Sequence, residues 1–196
     1  MLTIMILGAN SDIAKQTLSL LAPNHNVISL DRSGLDLCDA GAGEKIHKLL
    51  AEHAPDVIIN CAGKFGDNTV DYDEVFDVNV RSNWSVIQYY IQNPPSKQTK
   101  FIMLGSSVYK QGRRNYILYA ASKSALYSVW QGAAEFCNEN FILGLINPVR
   151  VRTKMVSHLP TPAGTLEPQD VAEQIVDMCY NMEVSESKDM DYKERS

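Results

Sequence analysis

Tyr119 and Lys123 stand four residues apart, the spacing that puts two side chains on one face of a helix. An ammonium beside a phenol favours the phenolate, so the pair predicts a Tyr119 pKa below its usual value of about 10. Such a tyrosine can give a proton to a carbonyl oxygen near neutral pH, or take one from an alcohol. Ser106 lies 13 residues earlier, at the end of an apolar segment, where its hydroxyl can hold the same oxygen. Ser107, at a spacing of 12, is the alternative. A YxxxK pair alone arises often by chance, and a helical Tyr is usually packing. The neighbouring motifs give this one its weight.

Gly8-Ala9-Asn10-Ser11-Asp12-Ile13-Ala14 joins a short apolar segment directly to a helical pattern. Gly8 permits a tight turn, after which free helix N–H groups can face a pyrophosphate. Asp12 stands where a second glycine would suit that turn, and a carboxylate repels a diphosphate; as a bland alternative it caps the helix. Asp31 closes the second apolar segment, and a carboxylate there can accept hydrogen bonds from a ribose diol, which favours NAD. Arg32 beside it can hold a 2′-phosphate instead, so NADP stays open. Asn60, Cys61, Ala62 and Gly63 follow a third apolar segment.

Taken together these motifs resemble the short-chain dehydrogenase/reductase family over nearly the whole chain. GANSDIA resembles its glycine turn, NCAG its NNAG element, and Tyr119 to Lys123 its YxxxK. The resemblance implies a catalytic set of Ser106, Tyr119, Lys123 and Asn79, with Asn79 orienting Lys123 through water. It implies a nicotinamide cofactor on the turn (Gly8, Asn10, Ser11, Asp12, Ile13), on Asp31 and Arg32, on Asp36 and Leu37 around adenine, on residues 60–63, and on Pro148 and Thr153. It also implies a homodimer or homotetramer built on the helices near 73–92 and 119–138. The departures are Asp12 and Ala14 in the turn, Val149 where glycine is usual, and very short loops.

Residues 105–172 are further similar to the reductase domain of bifunctional CDP-ribitol-forming enzymes, which implies a ribulose 5-phosphate-like substrate. No part of the chain is left to be a cytidylyltransferase. This likeness makes sense of two acid-free, basic stretches. Residues 78–134 hold no Asp or Glu but seven Lys and Arg, and 140–166 repeat the pattern with Arg150, Arg152 and Lys154. Arg113, Arg114 and Arg150 are the substrate candidates, because a guanidinium makes two-point contact with phosphate or carboxylate. A solvated charged surface is the bland reading. Three readings compete with an oxidoreductase: a member that binds a nucleotide as a sensor or partner without turnover, a subunit of a larger assembly that makes a surface polysaccharide, and an isomerase or dehydratase with retained NAD.

Placing these side chains requires alternating elements. Strands are expected at 3–7, 27–30, 57–59, 101–104 and 141–146, with helices at 12–21, 43–53, 73–91, 119–138 and about 171–179. That order means βαβ units: one doubly wound α/β, Rossmann-like domain over residues 1–182 with a mostly parallel sheet. Residues 183–196 read as a polar tail with a weak last strand around Met190–Tyr192. The chain has 196 residues, 45% of them hydrophobic, with net charge −5. That balance excludes disorder and argues against a nucleic-acid binder. No apolar run reaches the roughly 20 residues of a membrane span. Four scattered cysteines and an N-terminus without a basic leader suggest the reducing cytoplasm. The dispersed histidines (25, 47, 53, 158) suggest no metal site, and the segment 155–167 looks too short for a large lid.

Overall fold

A computed structural model describes residues 1–191. The six strands are β1 (Thr3–Leu7), β2 (Asn26–Leu30), β3 (Val57–Asn60), β4 (Thr99–Leu104), β5 (Phe141–Pro148) and β6 (Glu186–Met190). They form one sheet in the order β2-β1-β3-β4-β5-β6. Every pair is parallel. Six α-helices pack on it: α1 (Asp12–Leu21), α2 (Ala42–His53), α3 (Tyr72–Phe76), α4 (Ser82–Gln92), α5 (Ile117–Ala134) and α6 (Pro168–Asn181).

The sheet is covered on both faces, which is why β3, β4 and β5 are buried at every position and mostly apolar. Ile4 and Ile6 of β1 meet Ile102 of β4, with Ala14 and Leu21 of α1 and Val171 and Ile175 of α6. Met5 and Leu7, one residue out of phase, join Phe101, Ile46 and Leu50 of α2, Val86 and Ile87 of α4, and Leu126 of α5. The period-two alternation thus feeds two separate cores.

Three expectations need correction. The helix expected over 73–91 is broken: a π-turn, Asp77–Arg81, separates α3 from α4. The wider turn carries Asn79 inward, where it is fully buried. The helix expected over 119–138 begins at Ile117 and ends at Ala134. Its start is held from outside by Asn68, which accepts from the Ile117 N–H (2.9 Å) and donates to the Arg114 carbonyl (2.7 Å). The last strand is Glu186–Met190, not 190–192, and Tyr192 lies outside the described residues. Its polar sequence hid it; pairing with β5 from Gly144 to Pro148 makes it the sheet's edge rather than a loose tail.

Strand order reverses between β1 and β3, so the chain leaves these neighbours toward opposite faces and a crevice opens at their carboxyl ends. Gly8 lines that crevice at φ +72°, and a Cβ there would sit 2.5 Å from the Ala62 nitrogen. Both the conformation and the clearance demand glycine. Gly8→Ala is expected to lower stability by about 1–3 kcal/mol in urea unfolding.

Candidate active site

Two adjoining cavities occupy the crevice, of about 240 and 720 Å³. Asn10, Ser11, Cys61, Ala62 and Gly63 line both, so the motifs after β1 and β3 form the wall they share. Gly8, Asp31, Arg32, Asp36 and Leu37 line the smaller one. Asp12, Ile13, Ser106, Tyr119, Lys123, Pro148, Thr153, Arg113 and Arg150 line the larger. Leu35, Lys64 and Val78 in the first and Phe65, Tyr116, Met155 and Leu159 in the second were not legible in the sequence. Most of them sit in loops and short turns whose path no periodicity fixes, and Val78 reaches the cavity from the π-turn.

In the smaller cavity Asp31 is heavily bonded. Its Oδ1 accepts from the Ser33 hydroxyl (2.6 Å), the Ser33 N–H (3.0 Å) and the Gly34 N–H (3.3 Å), and its Oδ2 accepts from Asn10 Nδ2 (2.7 Å). These bonds, the Ser33 hydroxyl first, hold the carboxyl below its usual pKa and keep it anionic. Arg32 donates through Nε to Asp36 Oδ2 at 2.8 Å. The two opposed residues at the end of β2 are therefore a fixed anion and an exposed, ion-paired cation.

At the turn, Ser11 caps α1 by accepting from the Ala14 N–H at 3.1 Å. Asp12 does not cap; its Oδ2 accepts from the Lys154 N–H at 2.7 Å, across 142 residues. Asn60 and Asn79 line neither cavity, contrary to a direct contact role for Asn60. Asn60 Oδ1 accepts from the Ala62 N–H (3.0 Å), and its Nδ2 donates to Ser82 Oγ and Asn83 Oδ1 (3.0 Å each). Asn79 accepts from the Lys64 N–H (2.8 Å) and donates to the Lys64 carbonyl and to Ser122 Oγ (2.9 Å each).

Ser106, Tyr119 and Lys123 converge on the larger cavity. Ser106, rather than Ser107, is the hydroxyl that acts on Tyr119; its oxygen also accepts from the Val108 N–H at 3.4 Å. Lys123 Nζ donates to the Leu104 carbonyl at 2.8 Å and lies 5.8 Å from the centre of the Tyr119 ring. The expected lowering of the Tyr119 pKa is not found. Burial pushes it up, and the Ser106 bond only partly offsets this. The reason is that Lys123 spends its nearest contact on a backbone carbonyl, and burial lowers its own pKa to about 8.

Phe65 packs edge-on against Tyr119 (5.0 Å between ring centres) and tilted against Tyr116 (5.3 Å) and His158 (6.1 Å). His158 belongs to the segment after β5, from which Met155, Val156, Leu159, Pro162 and Gly164 line the larger cavity. The two acid-free stretches meet there. Lys123, Arg113, Arg150 and Lys154 face the cavity, and Asp12 is the only acid on its wall. Arg150 also bonds the Pro160 carbonyl through Nη1. Arg114 is exposed and lines neither cavity, a correction to its place among the substrate candidates.

A parallel sheet with a glycine turn at its switch point, a carboxylate ending β2 and a Ser–Tyr–Lys group on β4 and α5 defines a dinucleotide-binding domain of the oxidoreductase type. The profile of the NAD dependent epimerase/dehydratase family matches residues 4–145, and the chain belongs to that family. It is 31% identical over 151 residues to the bifunctional ribulose 5-phosphate reductase/CDP-ribitol pyrophosphorylase Bcs1 of Haemophilus influenzae, covering 72% of this chain and 31% of that protein. It is 24% identical over 143 residues to the NADPH-dependent pterin aldehyde reductase of Arabidopsis thaliana, covering 68% of this chain and 57% of that protein. The chain thus spans about a third to a little over half of these relatives. A 4-hydroxyisoleucine dehydrogenase solved with NADH shares the fold at TM-score 0.82, with 21% identity and 98% of each chain covered. A short-chain dehydrogenase of Escherichia coli solved with NADPH does so at 0.81, with 24% identity and 95% of each covered.

Lys123 links the site to stability. Its pKa falls from 10.5 to about 8 on folding, so between these values the unfolded chain binds the extra proton. The burial cost is fully present below pH 8 and is relieved as pH rises toward 10.5. Relative to Lys123→Met, wild-type unfolding free energy should rise by about 1 kcal/mol from pH 8 to pH 9. Paired urea titrations at the two pH values check this. A constant difference would mean that Lys123 keeps its ordinary pKa and stays protonated in the fold over this range.

Proposed function

We propose that the protein is a nicotinamide-dependent oxidoreductase acting on the carbonyl or alcohol group of an anionic, sugar-type substrate. One observation carries the reading: Ser106, Tyr119 and Lys123 come together on the wall of a 720 Å³ cavity whose charged lining is mostly cationic. The crevice fits a dinucleotide. Gly8 and Asp31 line the smaller cavity, and Asp31 stands as a fixed anion where a ribose diol would bond. Bound there, the dinucleotide supplies or accepts the hydride.

The side chains supply the proton. Burial keeps Tyr119 protonated, the form that donates to a carbonyl oxygen. Ser106 fixes that oxygen by hydrogen bonding. Once the proton has left, the Lys123 ammonium offsets the phenolate charge, and its bond to the Leu104 carbonyl fixes where that charge sits. Asn79 positions the group through Ser122, the residue before Lys123. Pro148 and Thr153 border the nicotinamide end, and Asp36 and Leu37 the adenine end.

The anionic Asp31 and the ion-paired Arg32 support NAD over NADP as the cofactor. Titration with NADH and NADPH by fluorescence and calorimetry tests the preference. Tyr119→Phe should cut turnover by about 10³-fold or more while leaving cofactor binding unchanged; persistent activity would refute the assignment.

Arg113 and Arg150, with the likeness to a ribulose 5-phosphate reductase, support a phosphate or carboxylate on the substrate. Arg113→Met should raise KM for ribulose 5-phosphate about tenfold and leave ribulose unaffected. Equal wild-type rates on the two compounds would remove the phosphate. A homodimer or homotetramer in the cytoplasm completes the reading, supported by the exposed Trp84 and Ile91 on α4 and by four free cysteines. The family profile favours one second reading, an isomerase or dehydratase, for which a cofactor that co-purifies and does not exchange would speak.

A further inference from the structure

The segment between β5 and α6 is a closed loop with a stapled neck. Arg152 N–H donates to the Leu166 carbonyl and Leu166 N–H to the Arg150 carbonyl, both at 2.8 Å. Arg152 and Glu167 add an ion pair across the same neck at 2.7 Å. Within the loop, Arg150 braces the Pro160 carbonyl. A loop tied in this way at its base moves as one piece, and its position over the cavity is set by what it touches at the rim. On one side His158 meets Phe65, and Met155 Cε lies 3.5 Å from where a Cβ of Gly63 would stand. On the other side the tie is the Lys154 N–H to Asp12 Oδ2 bond at 2.7 Å.

That bond joins two parts with different ligands. Asp12 is the first residue of α1, inside the turn that faces a dinucleotide, and Lys154 follows Thr153 at the start of the loop. The carboxylate stands where the turn pattern would take glycine, so it places negative charge beside a diphosphate site. A charged acceptor bonding a backbone N–H is a strong single contact, and stronger still where water is partly excluded.

We propose that Asp12 is a positioning residue that latches the 151–166 loop to the cofactor turn, so that this one bond sets how long a dinucleotide stays bound. The inference rests on the proposed nicotinamide-dependent activity for its ligand but not for the latch itself. The cost of Asp12 near a diphosphate is offset by closure of the loop over the bound molecule.

The test compares wild type with Asp12→Ala, which removes the acceptor, and Asp12→Asn, which keeps an acceptor oxygen without the charge. Two quantities are read: amide hydrogen exchange at Lys154 in the cofactor-free protein, and the dissociation rate of NADH by stopped-flow fluorescence. Asp12→Ala should speed Lys154 exchange and raise the dissociation rate, each about tenfold, and Asp12→Asn, whose neutral oxygen is a weaker acceptor, should fall between alanine and wild type in Lys154 exchange. An alanine variant with unchanged Lys154 exchange overturns the latch. One with faster exchange and an unchanged dissociation rate overturns its role in retention. A wild-type protein that binds neither NADH nor NADPH overturns the proposed activity and this role with it, while the exchange data still report whether the bond exists.

Discussion

A buried chain of amides and hydroxyls runs from the end of β3 to α5, and the site's geometry depends on it. Asn60 bonds Asn83, Asn83 bonds the Asn79 carbonyl, Asn79 bonds Ser122, and Ser122 bonds the Tyr119 carbonyl, each step between 2.8 and 3.0 Å. Asn60, Asn79, Asn83 and Ser122 are all buried. Buried polar groups are costly unless paired, so such a chain admits few alternative arrangements. It explains the π-turn: without the extra residue in that turn, Asn79 would not face Lys64 and Ser122 together. The loop after β3 and the start of α5 are thereby held to one another before any ligand arrives.

The sheet supplies the second constraint. Gly8 can approach Ala62 only because it lacks a side chain, and this contact lies at the point where strand order reverses. The switch-point crevice is the consequence of parallel strands crossing over to opposite faces. Turn and crevice are therefore one feature seen at two scales, and the amide chain fixes the far wall of the same opening.

What the sequence disclosed follows from these constraints. The βαβ order, the parallel sheet and the convergence of Ser106, Tyr119 and Lys123 were legible because period-two and helical patterns are strong in a two-faced sheet. The break at Asp77–Arg81 was not, because a π-turn adds one residue without disturbing the apolar spacing around it. β6 was misplaced because Glu186–Met190 carries no apolar alternation and is defined only by its partner. The direction of the Tyr119 shift was misread because helical spacing shows that Lys123 is near but not that its ammonium is directed to the Leu104 carbonyl.

Charge placement connects fold to chemistry. An acidic protein of net charge −5 carries a cavity faced by Lys123, Arg113, Arg150 and Lys154. The acids at the crevice are spent locally: Asp31 on its own turn and Asn10, Asp36 on Arg32, and Asp12 on the loop. Each carboxylate that holds backbone in place has less charge to offer a ligand, whereas Arg113 has no ion-pair partner among the described residues. The larger cavity therefore carries a mostly cationic lining inside a molecule that is acidic as a whole.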